Sequence, residues 1–100
     1  MYIAMNRFRI APGKEEEFIE IWKQRDSQLE SVPGFKEFHL LQGPADDECS
    51  LFTSHSVWAS AEDFSNWTKS EAFRLAHANA GGSKGIYLGP PVFEGYEVVL

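Results

Sequence analysis

Ser50-Leu51-Phe52-Thr53-Ser54-His55-Ser56-Val57-Trp58-Ala59-Ser60-Ala61-Glu62-Asp63-Phe64-Ser65-Asn66-Trp67 changes its hydrophobic period once, and that change decides the fold. From Ser50 to Trp58, the residues Leu51, Thr53, His55 and Val57 alternate with Phe52, Ser54, Ser56 and Trp58, the period of a strand with two distinct faces. Ser60 with Asp63 three residues on is a capping-box-like start, so a helix is predicted from Ala61, with Phe64 and Trp67 three apart on its buried face. A strand therefore runs almost directly into an amphipathic helix.

Upstream, the acidic turn around Asp46 and Asp47 predicts a hairpin, whose first arm is a strand from Phe35 to Gln42 ending at Gly43-Pro44. Val32-Pro33-Gly34 stops what precedes it, a helix over Lys14 to Glu30 with Phe18, Ile21, Trp22, Arg25 and Leu29 at helical spacing. Glu15, Glu16 and Glu17 sit favourably at that helix's positive N-terminus. Ala11-Pro12-Gly13 separates it from a first strand, Tyr2 to Ile10, with Ala4, Asn6, Phe8 and Ile10 on one face and Ile3, Met5, Arg7 and Arg9 on the other.

Downstream, Thr68 and Lys69 loosen the helix and Ser70-Glu71 resembles a fresh N-cap. Phe73, Ala76, His77 and Ala80 then share one stripe of a second short helix ending at Gly81-Gly82, which turns His77 inward. Ser83 to Pro91 reads as a loop and Val92 to Leu100 as the last strand, with Tyr96 and Val98 on one face. The order βαββαβ predicts an α+β, ferredoxin-like fold, one domain over residues 1–100. Helices cover one face of a four-stranded antiparallel sheet and leave the other needing cover.

Composition narrows the function classes. With 100 residues, 43% hydrophobic content, eight Phe, three Trp and three Tyr, the chain supports one core, near the lower limit of size. A homodimer is expected because pairing buries more surface. The net charge of −6 argues against nucleic acid, which calls for a basic patch. No apolar run approaches the roughly 20 residues of a membrane span, and no secretory leader pattern opens the sequence, so the expected location is cytoplasmic. The single cysteine, Cys49, follows an acidic run that disfavours the reactive thiolate, and it reads as inert.

Three residues are candidates for chemistry. Asn6 puts an amide on the inward face of the first strand, where burial demands a hydrogen-bond partner, in the ordinary case a backbone group or water. His77 stands on an apolar stripe between small residues, Ala76, Ala78 and Ala80, beside Gly81-Gly82. A lone histidine there is either a satisfied core residue or a ligand with room for a flat group to approach. Trp67 alone reads as a core anchor. His39 and His55 lie in separate strands with no Cys or carboxylate at ligand spacing, which excludes a closed zinc site.

The segment from Ser56 to His77, together with Asn6-Arg7, Gly13 and Pro33-Gly34-Phe35, resembles the Isd-type haem-degrading monooxygenases of the antibiotic biosynthesis monooxygenase superfamily. The resemblance weakens after His77, from Ala78 to Pro91. It implies a homodimeric α/β barrel, two sheets packed face to face, with haem between helices and sheet as both cofactor and substrate. It further implies that His77 ligates the iron, that Trp67 presses on and ruffles the porphyrin, and that Asn6 donates a hydrogen bond to iron-bound oxygen. Trp22 matches an aromatic pocket position, and plain core packing explains it equally well. Cleavage at a meso carbon would consume O2 and electrons from an external donor, since no Gly-rich nucleotide fingerprint is present. Arg74 and Lys84 are the cations nearest to hand for the propionates, although a solvated surface role suits both. Two alternatives stand beside this reading: a cofactor-independent monooxygenase of the same superfamily acting on an aromatic or quinol substrate, and a non-catalytic haem-binding carrier or sensor.

Overall fold

The computed structural model describes residues 1–24, 29–70 and 85–100. Their order is β1 (Tyr2–Ile10), α1 (Glu15–Gln24), a 3₁₀ turn (Leu29–Ser31), β2 (Phe35–Ala45), β3 (Ser50–Trp58), α2 (Ala61–Thr68) and β4 (Val92–Glu97). The strands form one antiparallel sheet in the order β2-β3-β1-β4, the ferredoxin-like arrangement expected from the alternation of periods. The second short helix predicted after Ser70, and with it His77, Arg74 and Lys84, lies outside the described residues, as does Arg25.

Three boundaries differ from expectation. Helix α1 is described to Gln24, and Leu29 belongs to a 3₁₀ turn rather than to a helix continuing to Glu30. Pro33 disfavours helical backbone at Val32, and the chain tightens into the 3₁₀ turn before it. Strand β2 continues beyond Gln42 to Ala45, with a register shift between those residues that absorbs Gly43-Pro44. It can do so because β2 is an edge strand, where a proline need not donate to a neighbour. Strand β4 ends at Glu97, short of Leu100. Its last ladder pair with β1 is Glu97 with Tyr2, and beyond it the Val98 N–H donates to the Met1 carbonyl at 2.9 Å.

The local signals act where they were read. The Ser60 hydroxyl accepts the Asp63 N–H at 3.1 Å, an N-cap that starts α2. Gly34 has φ +83°, and a Cβ there would collide with the Asp63 carboxylate, while its carbonyl accepts the Ala59 N–H at 2.7 Å. That crossing pins the entry of β2 against the start of α2 and needs glycine twice over. In the β2–β3 hairpin the Asp46 carboxylate accepts the Glu48 and Cys49 N–H groups at 2.7 and 2.9 Å, which holds it below the usual carboxylate range.

Apolar side chains on the helix face of the sheet gather into two clusters. Ile10, Phe18, Phe52 and Ile86 make one, with Phe8, Trp22, Leu40 and Tyr87 against it. Ala4, Leu29 and Trp58 make the other, with Tyr2, Phe38, Phe64 and Trp67 among the side chains packed on it. Between them the strands carry polar side chains: Asn6 stands opposite Ser54, and Ser56 stands opposite Ala4 of the second cluster.

Candidate active site

The gap between the clusters is a cavity of about 550 Å³. Its floor is the sheet, at Ala4, Asn6, Phe8, Ser54 and Ser56. Trp22 of α1 and Trp67 with Phe64 of α2 contribute to its walls, as do Tyr87 and Phe93. The volume falls within the range of ordinary small-molecule sites, and a few polar groups among aromatic walls is the usual composition of one.

Each wall residue is held by packing. Trp22 stacks on Phe38, ring centres 5.5 Å apart and planes 24° apart, and meets Phe8 edge-on at 5.9 Å. Trp67, on the last turn of α2, lies 5.4 Å from the Trp58 ring and 6.1 Å from Phe64. Phe64 in turn stacks on Phe93 of β4, 5.6 Å apart with planes within 8°. Helix α2 stops just where Trp67 is needed: the Ser70 hydroxyl and N–H both donate to the Trp67 carbonyl, at 2.6 and 2.9 Å. The indole thus packs on Trp58 and Phe64 and borders the cavity.

Asn6 answers differently from the expectation of a backbone partner. Among the described residues no hydrogen bond engages its side-chain amide, which is half-buried and borders the cavity. Ser56, by contrast, is committed: its hydroxyl donates to the Ala4 carbonyl at 3.3 Å and accepts the Trp58 Nε1–H at 3.0 Å. Thr68 also lines the cavity, and its hydroxyl donates to the Ser65 carbonyl at 2.7 Å. An amide on the cavity floor with no partner among the described residues is a directed donor and acceptor for whatever enters.

Of the four residues singled out in sequence, Asn6, Trp22 and Trp67 border one cavity, and His77 lies outside the described residues. Among the described residues no Lys or Arg lines the cavity, and Arg74 and Lys84 fall outside them. His39 and His55, in separate strands, are register partners across β2 and β3, with Met5 opposite His55 on β1. They share the sheet face turned away from the cavity, and among the described residues no group of three His, Cys, Asp or Glu can hold a metal ion. Ser54, Tyr87 and Phe93 are cavity residues that sequence reasoning did not single out. For Ser54 a signal existed: it alternates inward between Phe52 and Trp58, where a strand of this pattern should carry an apolar side chain.

A family model for antibiotic biosynthesis monooxygenases matches residues 1–79, a span that takes in position 77. A heme-degrading monooxygenase of Bacillus thuringiensis (strain Al Hakam) is 38% identical over 85 residues, covering 82% of this chain and 76% of its own length. A staphylobilin-producing heme oxygenase of Staphylococcus epidermidis is 30% identical over 84 residues, covering 84% of this chain and 80% of its own. Among solved structures, the heme-degrader MhuD from Mycobacterium tuberculosis, with two hemes bound in its active site, superposes with a TM-score of 0.75. That match is 26% identical and covers all of this chain and 97% of the other.

Proposed function

The chain belongs to the antibiotic biosynthesis monooxygenase family, and on that premise we propose that it degrades haem, opening the tetrapyrrole at a meso carbon with O2 and electrons from an external donor and releasing the iron. The observation that carries this reading is the cavity itself: aromatic walls at Trp22 and Trp67 over a floor whose Asn6 amide has no protein partner among the described residues.

Each residue then has a physical task. Broad aromatic surfaces take a flat macrocycle out of water, the main source of affinity for so apolar a substrate. Trp67, backed by Trp58, would resist a ring pressing on it and so would favour a distorted macrocycle. The Asn6 amide sits on the sheet side and directs a hydrogen bond at one point above the substrate, favouring one meso position. His77 is the expected iron ligand. When bound, the iron would supply oxygen activation, with His77 the residue that would hold it.

Support for a second copy comes from the other face of the sheet, where Ile3, Met5, Leu51 and Val57 point away from the helices and Leu41, Val92 and Tyr96 are exposed. A sheet face of that composition, in a chain of 100 residues, gains by pairing with its like.

The test is a hemin titration of the purified protein. A Soret band that moves on His77→Ala, and that bleaches when reductant and oxygen are added, is the expected result, with mass spectrometry identifying an open-chain tetrapyrrole. Absence of hemin binding removes the proposal, and a haem spectrum stable under reductant and air replaces it with a carrier or sensor.

A further inference from the structure

Strand β3 turns three serines toward the helices, and they differ in how their hydroxyls are used. Ser50, 3% exposed, donates to the Glu15 carboxylate at 2.9 Å. Ser56 bridges Trp58 and the Ala4 carbonyl. Ser54 is 7% exposed, lines the cavity, and among the described residues no hydrogen bond engages its hydroxyl. The residue is buried but its hydroxyl borders the cavity, where it is available as a donor or acceptor to whatever enters. Ser54 is also the register partner of Asn6 on the neighbouring strand, and directly opposed residues of an antiparallel pair have side chains within reach of one common ligand.

We propose that Ser54 is a second hydrogen-bonding residue of the cavity, acting with Asn6 on the same small ligand held over the sheet-side face of the bound tetrapyrrole. The proposal rests on the haem reading above. The amide and the hydroxyl form a two-point polar floor: Asn6 offers a donor from β1 and Ser54 from β3, so a diatomic or monatomic ligand meets donors from two directions. One donor holds such a ligand at a distance; two also set its tilt. Ser54 is thereby a determinant of which edge of the macrocycle the ligand faces.

Fluoride is a suitable probe, because it binds ferric haem and accepts hydrogen bonds strongly. In the hemin-loaded protein, Ser54→Ala should weaken fluoride binding about fivefold, the factor equivalent to one ordinary hydrogen bond. The Soret position without fluoride should stay in place. Ser54→Cys, close to serine in size but a much weaker donor, should show the same loss, and Ser54→Thr should retain most of the affinity. Ser50→Ala, outside the cavity, should leave fluoride binding unchanged. Wild-type fluoride affinity in both Ser54→Ala and Ser54→Cys, with hemin still bound, overturns this proposal and leaves the haem reading intact. Failure of the wild-type protein to take up hemin overturns both.

Discussion

One end and the middle of the same strand pair have opposite fates. Where β1 and β3 carry Ile10 and Phe52, the core closes: Phe18 lies 4.9 Å from Phe52 and 5.3 Å from Phe8 in tilted ring contacts, and Ile10, Phe18 and Phe52 are at most 1% exposed. Midway along, where they carry Asn6 and Ser54, the core stays open by about 550 Å³. Both regions have the same sheet beneath and the same helix layer above. What separates them is two polar side chains of modest size in a row where apolar ones would have met the aromatic rings overhead. The open region is therefore built by substitution within a core pattern, and the closed one supplies the stability that makes an open centre tolerable.

That contrast can be broken from either side. Phe52→Ala, in the closed region, should cost about 3–5 kcal/mol, because a large buried ring leaves a void that rigid neighbours cannot fill. Denaturant unfolding measures it, and a loss below about 1 kcal/mol would show that this end is no tighter than the middle. Asn6→Leu, in the open region, should leave stability unchanged or raise it by up to about 1 kcal/mol, since it exchanges an amide without a partner among the described residues for an apolar group of similar size. Hemin turnover should fall in the same variant. A marked destabilisation would mean that the amide is structural.

The smallest effect concerns the seal on the closed end, where the Glu15 carboxylate accepts from the Ser50 hydroxyl and the Gly13 N–H at 2.9 and 2.8 Å. Its own backbone N–H and the Ser50 hydroxyl, and to a lesser extent the Gly13 N–H, lower its pKa from the ordinary value of 4.5, against an opposing effect of burial. A carboxylate with a depressed folded-state pKa stabilises above its unfolded-state value, and the benefit disappears as pH falls through the folded-state value. The stability difference between wild type and Glu15→Gln should therefore be present near neutrality and shrink on acidification below 4.5. Chemical denaturation at several pH values reads it; a difference that grows toward acid would contradict the sign.

Much of this was legible beforehand, for reasons that can be traced to particular residues. Alternation in Tyr2–Ile10 and Ser50–Trp58 placed Asn6 on the same side as Phe8 and Ile10, because a pleated strand leaves no freedom in which face a residue takes. Ser60 and Asp63 located the start of α2, and hence Trp67 on its buried side, because a cap is a local hydrogen bond. Less legible were features that depend on neighbours distant in the chain. Strand β2 passes through Gly43-Pro44 because it lies at an edge, and position 34 needs glycine because the Asp63 carboxylate lies against it. Neither constraint is written near the residues it affects.

Sequence by itself determined the element order, the alternating faces of β1 and β3 and the candidacy of Asn6, Trp22, Trp67 and His77, since periodicity and capping are short-range properties and the family likeness is carried by residues in order. Tertiary structure alone decided that Asn6 faces Ser54, that Trp22 and Trp67 border one cavity, and that among β3's serines Ser50 and Ser56 are committed while Ser54 is not. A hydroxyl reads the same in any strand. Whether it has a partner depends on strand register and on which side chains the helices bring down upon it, and both are set by packing across the whole molecule.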